Sequence, residues 1–238
     1  MRRFRYLLLM PALTVSAVQS STTTPSEWYR STRVVSPDQH ACTGKGGYPY
    51  REKSDYVLRE LDLRPGDVVV DIGAGDGWWA ERMAALVGPK GVIYASEVEQ
   101  KLVDKMEDRF ADVPQVKPYL CKTDSTGLPE NSCDLVFLSK TYHHLPSDGH
   151  VAYLRHLRKV VKPTGRVCII EKYPAITGER KEHAWPLSLL IQEAEEAGWF
   201  PVRYELMTGT HHYIVIFVQK DLFPVETPQT KPATSRGN

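Results

Sequence analysis

The sequence carries no excess of charge of either sign. Its 238 residues contain 30 lysines and arginines against 29 aspartates and glutamates. Proteins that bind nucleic acid through its phosphates, or that adsorb to an acidic membrane surface, concentrate positive charge instead. No internal repeat is evident, and a hydrophobic content of 42% is enough for one full-sized core. The composition therefore predicts a globular protein that does not use nucleic acid as a partner.

Cysteine is scarce and is not spaced for metal binding. The four cysteines are Cys42, Cys121, Cys133 and Cys168, and they form neither a CxxC pair nor a cysteine–histidine zinc pattern. The last three lie in or beside apolar, strand-like runs, where a buried thiol is the usual outcome. No metal site is predicted, and the cysteines do not decide between an oxidising and a reducing compartment.

Long hydrophobic runs are also rare. The apolar segment 6–18 is short for a membrane span and is interrupted by Pro11. It follows the basic segment Met1–Arg5 and ends near Val15-Ser16-Ala17, which resembles a signal-peptidase site. We expect a cleaved export signal, a periplasmic or secreted protein, and no stable membrane association after cleavage. The alternatives are an uncleaved anchor or a misassigned start codon, and without a working signal the protein would be cytoplasmic.

Shifts in composition divide the chain into four parts. Residues 1–18 are the expected signal peptide, and residues 19–50 are a polar linker and N-terminal arm. Residues 51–222 are the folded domain. Residues 223–238, rich in proline, threonine and polar residues, are expected to be disordered.

One stretch organises the domain. The β-branched run Val68–Ile72 is typical of a buried parallel strand, and Gly73, Gly75 and Gly77 follow it. Glycine allows a tight turn and a close approach of a ligand to the backbone. The helix predicted from Trp78 would point its free N–H groups at that ligand. The stretch therefore predicts a cradle for a small molecule.

Strands and helices alternate along the rest of the domain. This alternation predicts a doubly wound, mostly parallel sheet that binds ligands at the carboxyl ends of its strands. The last two strands, 202–207 and 213–218, are joined by a short turn and must be antiparallel. The other predicted strands are 68–72, 91–97, 116–121, 133–139 and 166–171. Two helices are predicted with definite limits, 51–63 and 78–87. Two further helices are predicted from their inward-facing residues, Leu102, Val103, Met106 and Phe110 in the first and Val151, Leu154, Leu157 and Val161 in the second. The last predicted helix has Leu187, Leu190, Ile191 and Ala194 facing inward and Gly198 as its cap.

The segment Asp71–Gly77 resembles the first motif of class I S-adenosylmethionine-dependent methyltransferases, whose seven-stranded sheet ends in an antiparallel strand. Further segments fall in the family's order: Glu97 after the second strand, Asp124-Ser125 after the third, Ser139–His144 after the fourth, and the turn Pro163-Thr164-Gly165. The resemblance covers about residues 51–219 and is greatest to small bacterial proteins with an export signal and a Thr-Tyr-His-His segment. Where that branch has an acid, this chain has Lys140, which puts a carboxylate base there in doubt.

The resemblance implies methyl transfer from S-adenosyl-L-methionine to a small-molecule acceptor, in an assembly of unknown oligomeric state. It assigns Glu97 to the ribose hydroxyls and Asp124 to the adenine amino group. The residues implied for the cofactor are Asp71, Gly73, Ala74, Gly75, Gly77, Glu97, Val98, Asp124, Ser125 and Ser139. The catalytic candidates are His143 and His144, one of which would face the methyl group as a base.

Three alternatives stay open. The chain could bind S-adenosylmethionine or its demethylated product without catalysis. A nicotinamide-dependent fold is disfavoured because Trp78 occupies a position that needs a small residue. The histidines could be ordinary loop residues. His211-His212 precede the antiparallel last strand and are therefore expected to converge with His143-His144 at the same sheet edge. If the four rings are functional, they would handle the substrate or its proton or, as a less favoured use, hold a metal.

Overall fold

The computed structural model describes residues 49–146, 148–174 and 183–223. The expected signal peptide, residues 19–48 with Cys42, and residues 224–238 of the expected tail lie outside the described residues. Within the described ranges, no helix combines the length and apolar character needed to cross a membrane.

Twelve helices and strands of the described residues form the domain. In chain order they are α1 (Ser54–Leu61), β1 (Val68–Ile72), α2 (Trp78–Val87), β2 (Val92–Glu97), α3 (Gln100–Arg109), β3 (Val116–Leu120), β4 (Cys133–Ser139), α4 (His150–Val160), β5 (Val161–Lys172), α5 (Leu187–Glu196), β6 (Trp199–Met207) and β7 (His212–Gln219). Short 3₁₀ turns cover Pro49–Lys53, Tyr142–His144 and Lys220–Leu222.

The strands form one sheet in the order β3-β2-β1-β4-β5-β7-β6. β1 pairs in parallel with β2 and β4, and β7 runs antiparallel to both of its neighbours, β5 and β6. The predicted doubly wound, mostly parallel seven-stranded sheet with an antiparallel last strand is therefore confirmed. The order reverses between β1 and β4, and ligands of such sheets bind at the carboxyl ends beside this switch point.

Helices cover both faces of the sheet. Side chains of α1, α2 and α3 share one buried cluster, in which Val57, Met83 and Met106 are inaccessible. Side chains of α4 and α5 share the other, with Leu154 and Leu190. Alternate residues of each strand point to opposite faces, so a strand can contribute to both clusters.

Several predicted boundaries are confirmed. β1, α2 and β4 have the predicted limits. Gly88 ends α2 with a positive φ of 65° and donates its N–H to the Ala84 carbonyl. Pro89 then prevents the helix from continuing. Cys133 and Cys168 are buried as predicted, whereas Cys121 is only half-buried. Burial raises the pKa of the Cys133 thiol to about 12.

Three predicted segments differ from the structure. Val161 is not on the inner side of α4 but is the first residue of β5 and pairs with Cys133. The predicted turn Pro163-Thr164-Gly165 lies inside β5, where Val161 pairs with Cys133 and Arg166 with Leu135, so the strand makes a wide bulge. The predicted helix 51–63 begins at Ser54, after a 3₁₀ turn, and ends at Leu61.

Candidate active site

The turn after β1 is fixed to the end of β2. Gly73, Gly75 and Gly77 have φ values of 67°, 62° and 76°, a region that L-residues rarely occupy. The N–H groups of Gly73 and Ala74 both donate to the Ser96 carbonyl at 3.0 Å. The turn therefore brings a loop of backbone to the carboxyl edge of the sheet.

The three glycines have different surroundings. A Cβ atom on Gly73 would lie 2.5 Å from Oγ1 of Thr141, and one on Gly77 would lie 2.4 Å from the ring of Phe110. A Cβ atom on Gly75 would meet nothing within 4 Å. Packing therefore requires Gly73 and Gly77, whereas only Gly75 borders open space.

Glu97, the last residue of β2, is hydrogen-bonded to this turn. Its Oε1 accepts from the N–H of Gly75 at 2.7 Å, and its Oε2 accepts from the N–H of Val98 at 3.1 Å. Glu97 is buried, whereas Val98 exposes 52% of its surface. A carboxylate and an exposed apolar side chain thus lie together beside the glycine turn.

Asp71 lies beneath the turn in β1. It is almost completely buried, and its Oδ2 atom has no hydrogen-bond partner. Burial, and secondarily the negative charge of Glu97, raises the pKa of Asp71 from 3.8 to about 8. Asp71 is therefore a buried carboxyl group with an unused polar atom beneath the Gly75 turn.

The turn after β3 holds the next pair of predicted residues. Lys122 and Ser125 form an isolated bridge around Asp124, whose side chain is exposed. The Ser125 hydroxyl accepts from the N–H of Gly127 at 3.1 Å. The structure thus leaves the Asp124 carboxylate accessible and uses the Ser125 hydroxyl to fix the turn.

The segment after β4 contacts the glycine turn and continues past it. Ser139 accepts a hydrogen bond from Nε1 of Trp79 at 3.1 Å. Thr141 packs so closely on Gly73 that its side chain leaves no room for a Cβ atom there, and His143 follows two residues later. The predicted catalytic segment therefore begins against the cradle, and His143 lies two residues beyond the Thr141 contact.

His143 is paired with Glu171, a residue that is not among the predicted site residues. Nδ1 of His143 lies 2.9 Å from both carboxylate oxygens of Glu171, and the His143 backbone N–H donates to Oε1 at 3.3 Å. The Glu171 side chain is fully buried, and only 2% of the His143 side chain is exposed. A signal existed, because the fifth predicted strand ends on this acid.

His144 lies against His143 and is exposed. The two ring centroids are 4.1 Å apart. Tyr142–His144 is a 3₁₀ turn and not extended chain, so these adjacent side chains do not point to opposite faces. Burial and the neighbouring His143 lower the pKa of His144. A third ring, that of His183, lies 5.9 Å from His143 and 6.3 Å from His144.

The predicted convergence with His211-His212 is wrong. His212 is opposite Lys172, and its ring packs 4.7 Å from that of Tyr50. Glu171 is opposite Tyr213 instead, and adjacent residues of a strand face opposite sides. His212 therefore reaches the correct edge on the other face of the sheet, and burial lowers its pKa to about 4.

Side chains that ligate metals do not cluster in the part of the chain that the structure describes. Within those ranges, no three side chains of His, Cys, Asp or Glu are arranged to hold a metal ion.

Comparison with known proteins shows that methyltransferases have a similar sequence and fold. Residues 69–165, which run from β1 through the bulge of β5, match the model of a methyltransferase domain family. A solved S-adenosylmethionine-dependent methyltransferase from Aquifex aeolicus is 26% identical, with a TM-score of 0.63, over 71% of this chain and 92% of that one. These similarities support a class I S-adenosylmethionine-dependent methyltransferase.

Two further known proteins are similar to parts of this chain. The ubiquinone/menaquinone biosynthesis C-methyltransferase of Cupriavidus pinatubonensis is 30% identical over 117 residues, which are 49% of this chain and 47% of that protein. The chain thus spans about half the length of the curated relatives it matches. A possible exported protein from Bordetella parapertussis is 17% identical with a TM-score of 0.58, over 71% of this chain and 67% of that one, and shares the fold.

The site fits the family's cofactor, S-adenosyl-L-methionine. The cofactor carries two ribose hydroxyls, an adenine ring, and a positively charged sulfonium with an amino-acid tail. The cradle offers the open approach at Gly75, the Glu97 carboxylate, the unpaired Oδ2 of Asp71 and the exposed Val98. Acceptors, negative charge and an apolar surface are the groups that such a molecule needs.

Proposed function

We propose that this protein transfers a methyl group from S-adenosyl-L-methionine to a small-molecule acceptor. The observation that carries the proposal is Glu97, a buried carboxylate held at 2.7 Å by the N–H of Gly75, at the one glycine of the turn that borders open space. This is the arrangement that a ribose-bearing ligand would use at the switch point of the sheet.

Different residues would bind different parts of the cofactor. Glu97 would accept from the ribose hydroxyls, Asp124 would accept from the adenine amino group, and Val98 would contact the adenine ring. Asp71 would complete the acidic floor of the site. When bound, the cofactor supplies an already activated methyl group, so the protein needs to align an acceptor atom with it and exclude water.

The acceptor would enter beside the segment after β4. Thr141 connects this segment to Gly73, and Glu171 closes its far end through His143. The curated relatives are named for carbon methylation in quinone biosynthesis, which favours a small organic molecule as the acceptor class. The balanced charge of the chain gives no support to a nucleic-acid acceptor.

One pair of measurements tests the proposal against a non-catalytic binding module. Calorimetry should show binding of both S-adenosylmethionine and S-adenosylhomocysteine. Transfer of a tritiated methyl group to members of a small-molecule library should then follow. Binding without any transfer would favour the binding module, and absence of binding to either ligand would refute both.

Export is proposed as well. It is supported by the basic segment before the apolar run and the small residues at Val15-Ser16-Ala17. One fold relative is a possible exported protein. The mature enzyme would then act outside the cytoplasm.

A further inference from the structure

The Glu171–His143 pair lies at the end of the segment that begins on the cofactor cradle. β4 and β5 are neighbours, and Ser139 pairs with Ile170, so Glu171 follows directly beside the chain that leaves β4. His143 is thereby held by a residue of the adjacent strand. Neither residue is needed to bind the cofactor in the proposed function.

The hydrogen bonds define which nitrogen of His143 is free. A carboxylate can only accept, so Nδ1, at 2.9 Å from both oxygens, carries the proton that it donates to Glu171. In the neutral ring Nε2 then holds a lone pair and no proton. Nε2 makes no hydrogen bond to any residue in the described part of the chain, so its lone pair can accept a proton.

Burial makes this arrangement chemically useful. The pair is closed off from water, with 2% of the His143 side chain and none of the Glu171 side chain exposed. A buried carboxylate stabilises the imidazolium that forms when Nε2 accepts a proton. The exposed His144 and His183, whose rings border His143, offer a path by which that proton could leave for solvent.

We infer that His143 is the proton acceptor of the methyl transfer, that Glu171 is its positioning residue, and that the acceptor is a neutral molecule whose nucleophilic atom bears a proton, such as a phenol or hydroquinone. The inference rests on the proposed function. In the step, the acceptor atom forms a bond to the methyl carbon while the carbon–sulfur bond breaks and sulfur keeps its electron pair. The acceptor's proton passes to Nε2 of His143 and later to solvent.

This assignment excludes acceptors that need no base. A thioether or a neutral aromatic amine attacks through a lone pair that is already free. A buried imidazole held in one tautomer would do nothing for such a molecule. A phenolic oxygen, or a ring carbon activated by an ionising hydroxyl, loses a proton as it reacts and therefore needs the base.

The first test does not require activity. Long-range nitrogen–proton correlation spectra of the full chain, labelled on histidine, report which ring nitrogen is protonated. In alkaline buffer His143 should be the Nδ1–H tautomer, and Glu171→Gln should reduce the share of this tautomer. A proton on Nε2 in the native protein would overturn the inference.

The second test uses four probes of similar size: hydroquinone and catechol, which lose a proton, and aniline and thioanisole, which react through a free lone pair. Labelled methyl should reach the first two. His143→Gln should lower kcat about 100-fold, and Glu171→Gln should lower it by a smaller factor, with S-adenosylmethionine affinity unchanged in both. Transfer confined to aniline or thioanisole, or full kcat in His143→Gln, would overturn the inference.

His211 provides a matched control for the His143→Gln variant. His211→Asn removes an exposed histidine at the same edge on a left-handed residue that Asn tolerates, and it should keep the wild-type kcat. If the unaltered protein does not bind S-adenosylmethionine, the proposed function is refuted, and not only this inference. If none of the four probes is methylated, the tautomer of His143 alone decides the inference. If the His143→Gln variant does not fold, the Glu171→Gln variant and the spectra decide it.

Discussion

The Glu97 carboxylate accepts a hydrogen bond from the N–H of Gly75 at 2.7 Å, across the gap between β2 and the turn after β1. This hydrogen bond links two residues of the proposed site: Glu97, which is assigned to the ribose, and Gly75, which borders the space for the ligand. Because a charged acceptor organises both the turn and the ligand, binding and local order are coupled at this point.

Removing the Glu97 carboxylate should weaken cofactor binding. Glu97→Ala is expected to cost about 1–3 kcal/mol in the binding of S-adenosylmethionine, the usual cost of deleting a charged hydrogen-bond partner. Calorimetry measures this directly. The exposed neighbour Glu99, whose side chain makes no cap hydrogen bond to α3, provides the control, and Glu99→Ala should leave affinity unchanged. An unchanged dissociation constant for Glu97→Ala would refute the ribose assignment.

The glycines of the turn should separate binding from stability. Gly77→Ala places a methyl group 2.4 Å from the Phe110 ring and should destabilise the fold by about 1–3 kcal/mol through overpacking, in addition to the backbone strain. Gly75→Val adds a side chain to open space and should abolish cofactor binding while the fold persists. Urea unfolding and calorimetry distinguish the two.

Gly66→Ala is the matched control for both variants. Gly66 also has a positive φ and no atom within 4 Å of an added Cβ, but it lies before β1 and outside the turn. It should show only the backbone cost, about 1 kcal/mol, with normal binding. Retained affinity in Gly75→Val would mean that the turn is not the cofactor cradle.

Local patterns in the sequence were sufficient for most of the fold. The β-branched run of β1 and the Gly88-Pro89 pair at the end of α2 are signals within a few residues, and both boundaries are confirmed. The antiparallel β7 followed from the short turn before it. By contrast, Arg166 is buried and its guanidinium donates to the carbonyl of Leu61, 105 residues away, at the end of α1. No local pattern indicates such a contact.

The site was predictable to the same degree. Glu97 followed from its place at the end of a strand. Glu171 ends a strand in the same way, but its relation to His143 depends on β4 and β5 being neighbours and on the exact register. The prediction for His212 was wrong for the same reason, because a shift of one residue in register decides which face of the sheet a side chain occupies. His183 follows a segment that has no periodic pattern, so only the fold brings it to His143.

Export is tested by the N-terminus of the mature protein. Expressed in a bacterial host from its own start, the protein should be found in the periplasm and begin at Val18, because Val15 and Ala17 supply the small residues that the peptidase needs. Ala17→Trp should leave the precursor uncut, whereas Ser16→Trp, at the position the peptidase does not read, should be processed. N-terminal sequencing that finds Met1 on cytoplasmic protein would overturn export.

Asp71 should give the folding stability a distinctive dependence on pH. Its pKa is raised from 3.8 to about 8 in the folded state, mainly by burial. Between these values the folded protein keeps a proton that the unfolded chain has lost, so this contribution to the free energy of unfolding decreases as the pH rises. The stabilisation is complete below the unfolded pKa and is lost by the time the pH passes the folded one.

The variant Asp71→Asn isolates this effect, because it cannot titrate and its other consequences are independent of pH. The difference in unfolding free energy, native minus Asp71→Asn, should fall by up to about 1.4 kcal/mol per pH unit across that window. Urea denaturation at a series of pH values measures it. A difference that stays level or rises with pH would show that Asp71 is ionised beneath the cradle, and the acidic floor of the site would then carry a second full negative charge beside Glu97.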